Sequence, residues 1–123
     1  CGKGEWFLLT LKNIDIMSQM LPDVSKASQS LDVSVLHTLI LEKIFGIDKE
    51  NMAKQINLTY TKFFTEAIDG VDKGEFQCSF VLNPTRVTEI RDVAAAGEKM
   101  PQKSTYFYPK MITGMVMNNL GVD

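Results

Sequence analysis

The chain has 123 residues, 45% of them hydrophobic, and its 13 basic and 15 acidic residues give a net charge of −2. This length predicts one domain, residues 1–123, which can bury a core without disulfides or a metal ion. Because a protein that follows nucleic-acid phosphates normally has a basic excess, the charge balance argues against nucleic-acid binding.

The first part of the chain predicts a strand, a polar loop and a helix. Residues 6–11 form a short apolar run, typical of a strand that is covered on both faces. Residues 13–30 contain one proline and four serines, so we expect a mobile loop or a weak helix there. Apolar residues recur at helical spacing over 33–45, with Asp32 as the expected cap and Gly46 at the end.

The rest of the chain alternates between strand and helix periodicities. We expect strands at 56–61, 75–82 and 112–117, and helices at 62–72 and 84–96. Asn83 and Pro84 are typical of the cap and the first residue of the last helix. The order β-α-β-α-β-α-β predicts a single layered α/β domain of mixed α+β character, in which three helices cover a mixed four-stranded sheet.

The segment GEKMPQKSTYFYPKMITG, residues 97–114, combines lysines, hydroxyl residues and tyrosines between two prolines. Its first part matches the phosphate-loop pattern GxxxxGK followed by Ser or Thr, except at Gln102, where the pattern requires glycine. A Cβ atom obstructs the positive φ that lets such a loop curl around a phosphate. Pro109 would also break the helix that should follow. We therefore reject the phosphate-loop interpretation.

The same segment still offers the chemistry of an anion site. In an extended conformation, residues 104, 106, 108 and 110 share one face, which presents hydroxyls and an ammonium, and residues 103, 105 and 107 share the other, which packs inward. We expect the lysines to neutralise a phosphate or carboxylate and the hydroxyls to bond to it. The alternative is a connector whose aromatic side chains fill the core and whose lysines are solvated. The candidate ligand-binding residues are Lys103, Ser104, Thr105, Tyr106, Tyr108 and Lys110.

His37 is the single histidine and the candidate catalytic proton carrier, because an unperturbed imidazole titrates near neutrality. It falls at the border of the apolar stripe of the 33–45 helix, where a lone histidine is more often structural. With one histidine and no paired cysteine spacing, we expect no metal site. Cys78 has the pattern of a small core residue on a strand.

The sequence also bears on the compartment. No run approaches the ~18 apolar residues of a membrane span, and no signal-peptide pattern precedes the first predicted strand. The chain begins with Cys-Gly-Lys-Gly rather than with methionine. We expect a cytoplasmic fragment whose upstream part is missing.

Three stretches resemble a known family. They are LDVSVLHTLILEKIFGI (31–47), INLTYTKFFTEAIDGVDKGEF (56–76) and FVLNPTRVTEIRDVAAAGEKMPQKSTYFYPKMITGMVMN (80–118). Together they resemble the C-terminal part of a family of uncharacterised bacterial and archaeal proteins, catalogued as domain of unknown function 1015. The resemblance covers about residues 4–118, and MPQKSTYFYPK is its most specific piece.

The resemblance implies a longer protein with nucleotide or phosphate chemistry. Family members carry an upstream Asp-Gly-His-His-Arg segment that looks like the ParB/sulfiredoxin-like fold, so a nucleotide is a possible cofactor of the full-length protein. The family gives no established role to the residues it shares with this chain, which are Asp32, His37, Asn83, Pro84, Gly97, Met100, Pro101, Lys103, Ser104, Thr105, Tyr106, Phe107, Tyr108, Pro109 and Lys110.

Two functional hypotheses follow. In the first, the domain contributes an anion-binding surface to a small-molecule enzyme, kinase-like or hydrolase-like, whose main catalytic residues lie upstream. The fragment alone then has no turnover. In the second, it is a non-catalytic docking or dimerisation module with the aromatic segment as its interface. The expected partners are the upstream domain of the same chain, a small anionic ligand and, in the second hypothesis, another copy of the chain.

Overall fold

Helices are the regular elements of the computed structural model, which describes residues 4–108. They are α1 (Asp15–Met20), α2 (Lys26–Gln29), α3 (Asp32–Val35), a π-helix (Leu36–Glu42), α4 (Lys49–Lys54), α5 (Phe64–Asp72) and α6 (Val87–Ala95). Within residues 4–108 no strand forms. The predicted α/β class, with its mixed four-stranded sheet, is therefore wrong.

The apolar and alternating stretches predicted as strands lack partners. Between residues 4 and 108, neither 6–11 nor 78–82 makes a backbone–backbone hydrogen bond. Among the described residues, the Ile56 N–H bonds back to the Asn51 carbonyl of α4, and the Glu75 and Phe76 N–H groups bond back to the Gly70 carbonyl of α5. A strand is stable only when a neighbour satisfies its N–H and C=O groups, and alternation does not supply that neighbour. The fourth predicted strand, 112–117, lies outside the described residues.

The three predicted helices do form, with shifted starts. The 33–45 helix is α3 continued by the π-helix, the 62–72 helix is α5, and the 84–96 helix is α6. Gly97 (φ 74°) directly follows the C-cap of α6 and ends that helix as predicted, whereas Gly46 (φ 68°) lies four residues beyond the end of the π-helix at Glu42.

The predicted caps, however, are wrong. Leu31 is the N-cap of α3, and Asp32 lies in the first turn. Its carboxylate accepts a hydrogen bond from Asn83 Nδ2 at 2.7 Å, so these two predicted caps bond to each other across the chain. α6 begins after Arg86, whose backbone N–H donates to the Glu89 carboxylate at 2.6 Å.

The polar stretch 13–30, expected as a mobile loop or weak helix, contains α1 and α2. Gln29 is buried between them and donates from Nε2 to the carbonyls of Leu21 (2.8 Å) and Val24 (2.7 Å). Its Oε1 accepts from the Ser18 hydroxyl at 2.9 Å. One buried side-chain amide therefore satisfies two backbone carbonyls of the turn that joins the two helices. The mobility of this stretch stays a prediction.

The core lies where α2, α3 and α6 meet. Leu31, Val33 and Val93 form a buried apolar cluster, and Ala27 and Met100 pack against it. In the part of the chain that the structure describes, no helix is long and apolar enough to cross a membrane. The core thus joins the polar stretch, the third helix and the segment that follows α6.

Candidate functional site

The segment after α6 begins with an anchor, Glu98. Its Oε1 accepts from the Ser25 backbone N–H at 2.7 Å, and its Oε2 accepts from the Ser25 hydroxyl at 2.8 Å and from the Ser28 hydroxyl. The bond from Ser28 and those from Ser25 favour the ionised carboxylate and lower the pKa of Glu98. This carboxylate ties the segment to the start of α2. Sequence reasoning missed it because the serines lie more than 65 positions away in the chain.

A tight turn follows between Pro101 and Ser104. The Pro101 carbonyl accepts from the Ser104 hydroxyl at 2.6 Å and from its backbone N–H at 3.3 Å. Lys103, inside the turn, has a positive φ of 62°, which a non-glycine residue adopts at a cost of about 1 kcal/mol. The Ser104 carbonyl accepts from the Thr85 hydroxyl at 2.9 Å. The Ser104 hydroxyl proton is therefore committed to the turn, while the Lys103 side chain is exposed.

Beyond the turn, an aromatic face forms from residues far apart in the chain. Lys62 Nζ donates to the Tyr106 hydroxyl at 2.9 Å and lies 4.3 Å from the centroid of that ring and 4.9 Å from the centroid of Phe63. Trp6 stacks on Phe64 with centroids 5.8 Å apart and planes 13° apart. We call these five residues the aromatic face.

The aromatic face is largely uncovered. Its four rings are between 52% and 62% exposed. Since an aromatic side chain presents about 150–250 Å² when fully accessible, the face exposes roughly 400 Å². The contacts join the rings into two groups, Phe63 with Tyr106 through Lys62 and Trp6 with Phe64, which adjoin at consecutive residues of the chain. Exposed apolar patches of this size are often functional.

A second feature is a cleft of about 240 Å³. It is lined by His37 on the π-helix, by Lys49, Met52 and Ala53 on α4, and by Tyr60 and Gln102. The His37 and Tyr60 rings meet edge to face with centroids 6.4 Å apart. We call it the His37 cleft.

Burial sets the charge of the His37 cleft. It lowers the pKa of His37 and raises that of Tyr60, because the charged form of each group is the one that loses solvation. At pH 7 both groups are therefore neutral. Among the residues 4–108 that line the cleft, Lys49 is then the one charged side chain.

The helix that holds His37 is unusual. Residues Leu36–Glu42 are π-helical, and the Phe45 N–H bonds to the Ile40 carbonyl five residues earlier at 3.0 Å. Thr38 and Leu41 of this helix are buried. π-helical turns are rare and occur frequently at functional sites. The apolar spacing of 33–45 predicted the helix but could not predict its widened turn.

The structure gives the predicted ligand-binding residues different surroundings. Ser104 bonds within its turn and Tyr106 bonds to Lys62, whereas Lys103 and Tyr108 are exposed and Thr105 is half-buried. Lys110 lies outside the described residues. Of the 97–108 segment, Gln102 lines the His37 cleft.

The side chain that was predicted to pack inward from this segment is exposed instead. Phe107, expected on the face that packs inward, is 62% exposed. Cys78 is a free, half-buried thiol. Among residues 4–108, no group of three His, Cys, Asp or Glu side chains is arranged to hold a metal ion.

Comparison with known proteins found no family model, no curated protein and no solved structure that matches this chain. The resemblance described above therefore remains an expectation from the sequence.

Proposed function

We propose that this chain is a docking module whose aromatic face packs against the upstream domain of a longer protein. The observation that carries the proposal is the exposure of Trp6, Phe63, Phe64 and Tyr106, all between 52% and 62%. Leaving that much aromatic surface in water costs stability, and covering it releases about 25 cal/mol for each Å². Tryptophan and tyrosine, both present in the aromatic face, are also enriched in interface hot spots.

The choice of occupant rests on the resemblance. It covers about residues 4–118 and implies an upstream domain in the same polypeptide. A domain covalently joined to this one is held at a high effective concentration, so a face of roughly 400 Å² is enough to bind it. A free partner would need a larger interface to form a stable complex. We also propose a cytoplasmic location, which the free thiol of Cys78 supports.

Two tyrosines provide a matched test. Tyr106 belongs to the aromatic face, whereas Tyr108 is 85% exposed and lies outside it. In the longer protein, Tyr106→Ala should lower the free energy of unfolding by about 2 kcal/mol or more, as truncation of an interface hot spot does. In residues 1–123 alone the cost should stay below about 1 kcal/mol, the value of an exposed cation–π contact.

Tyr108→Ala should be nearly neutral in both contexts. Equal effects of Tyr106→Ala in both contexts would show that the face is not covered by the upstream domain. Concentration-dependent dimerisation of residues 1–123, abolished by Tyr106→Ala, would assign the face to a second copy of the chain instead.

A second candidate function is an anion-binding surface that this domain contributes to a small-molecule enzyme. The observation that favours it is that Lys103 is exposed and forms no salt bridge with any residue between 4 and 108. Thr105 and Tyr108 can still donate hydrogen bonds to an anion beside it, and a nucleotide bound upstream would supply the phosphate. Titration of the longer protein with inorganic phosphate and with nucleotides, followed by calorimetry, tests this candidate.

A further inference from the structure

We propose that the His37 cleft binds a small organic carboxylate, with Lys49 pairing with its charge. This inference rests on the second candidate function, since it names the site and the ligand class of the anion. It moves the site from Lys103 to the cleft.

Separate parts of the chain converge on the cleft. The π-helix supplies His37, α4 supplies Lys49 and Met52, and the segments after α4 and α6 supply Tyr60 and Gln102. Met52 is 7% exposed and gives the cleft an apolar wall. An apolar wall with a few convergent polar groups is the usual composition of a small-molecule site. At about 240 Å³ the cleft is smaller than a drug-sized pocket and suits a compact ligand.

The charge of Lys49 is available to such a ligand. The adjacent carboxylate, Glu50, is held by Lys54 in a salt bridge one turn along α4. The other salt bridge among residues 4–108 joins Arg91 and Asp92, so no described carboxylate neutralises Lys49. A charge-assisted hydrogen bond from this ammonium to a carboxylate is stronger than a bond between neutral groups.

The remaining polar groups favour a monoanion over a phosphate. Tyr60 and Gln102 are neutral donors, and neutral His37 donates from one ring nitrogen and accepts at the other. The backbone N–H of Asn51, in the first turn of α4, already bonds to the Asp48 carboxylate at 2.8 Å. A phosphate, with a charge of about −1.5 to −2 at pH 7, would find one cation here. One cation and several neutral donors match a carboxylate.

The position of His37 on the π-helix is a second, independent observation. A π-turn disturbs the regular helical ladder and recurs at functional sites. Here it holds an imidazole against Tyr60 at the wall of the cleft. The His37 and Tyr60 rings and the Met52 side chain offer apolar contact to an unsaturated or aromatic ligand. We therefore choose benzoate as the probe.

His37 also supplies the measurement. It is the single histidine of the chain, so its imidazole protons give one assignable set of NMR signals. We would titrate residues 1–123 at pH 7 with benzoate, with the uncharged isostere benzamide and with inorganic phosphate. We expect benzoate to shift the His37 signals with a Kd of about 1 mM, the affinity of a small weak ligand. Benzamide and phosphate should bind at least tenfold more weakly.

Two lysine variants separate this inference from the function on which it rests. Lys49→Gln should weaken benzoate binding about tenfold or more, whereas Lys103→Gln should leave it unchanged, with thermal unfolding confirming that both variants fold. Loss of binding in Lys103→Gln alone would overturn the cleft inference and retain an anion site at Lys103. Equal binding of benzoate and benzamide would also overturn it. Absence of any His37 response to benzoate would overturn the cleft inference alone, because the anion-binding function is tested separately by calorimetric titration of the longer protein with phosphate and nucleotides.

Discussion

Replacement of Val93 by alanine tests the core that organises the described residues. Val93 is 0% exposed and packs with Leu31 and Val33 where α2, α3 and α6 meet. The substitution removes two buried methyl groups, worth about 0.8 kcal/mol each in transfer free energy, and leaves a small cavity. We expect a loss of about 2–3 kcal/mol in the free energy of unfolding.

Val87 is the matched control, since it lies on the same helix and is 79% exposed. Val→Ala raises helix propensity at either site, so that contribution cancels between the two variants. Val87→Ala should therefore be neutral or slightly stabilising. Urea denaturation followed by circular dichroism measures both, and Val93→Ala should also lower Tm by about 8–12 °C for a chain of this size. Equal effects of the two substitutions would refute the core assigned to α2, α3 and α6.

Three further predictions concern the segment after α6 and the His37 cleft. Glu98→Gln should lower Tm. Because the folded state holds the ionised carboxylate and lowers the pKa of Glu98, the stability of the wild-type chain should fall as the pH drops below 4.5. Absence of this fall in Glu98→Gln supports the assignment. NMR titration of His37 should give a pKa below 6.5, and a pKa at or above 6.5 would contradict the burial of its imidazole. Because the folded state disfavours the charged imidazole, thermal stability should decline as the pH drops below 6.5. Residues 1–123 should release no phosphate from ATP, ADP or CTP above the rate of Lys103→Ala, and turnover above that control would show that residues 1–123 are an enzyme by themselves. Lys103→Ala should leave Tm unchanged because the side chain is exposed.

Helices were the predictable part of the fold, because their hydrogen bonds are local. Apolar spacing and the glycines at 46 and 97 located α3 with its π-helical continuation, and α6. Cap residues were less predictable. Asp32 and Asn83 have side chains that suit a cap, but each found its partner across the chain, in the other. A cap motif describes a local option, and a tertiary hydrogen bond can replace it.

The prediction of strands was wrong within residues 4–108, because strand formation depends on hydrogen bonds to distant residues, which the sequence pattern does not reveal. The apolar run at 6–11 satisfies the composition of a strand and has no ladder partner within residues 4–108. The helix α4 was missed because it lacks the apolar spacing on which the helix predictions relied. Its sequence, KENMAK, is short and polar, so its signals were the cap Asp48 and the pair Glu50 and Lys54.

The candidate site was predictable only in its neighbourhood. The composition of 97–114 directed attention to a segment whose described part, residues 97–108, packs against the core, lines the cleft and joins the aromatic face. The residues that perform these roles include Glu98 and Gln102, which the anion hypothesis did not select. Their roles depend on Ser25, Ser28 and Lys49, which lie far away in the sequence.

The most direct test of the proposed docking is the solvent exposure of Trp6. It is the single tryptophan of the chain and stacks on Phe64 in the aromatic face. Residues 1–123 labelled with fluorotryptophan give one fluorine NMR signal, and the signal of an exposed ring shifts when water is replaced by heavy water. We would record that isotope shift for the labelled chain alone and after its ligation to the proposed upstream domain, which is unlabelled. We predict a large shift for the chain alone, where Trp6 is 62% exposed, and a much smaller shift in the ligated protein. An isotope shift that stays the same after ligation would contradict the docking of this face.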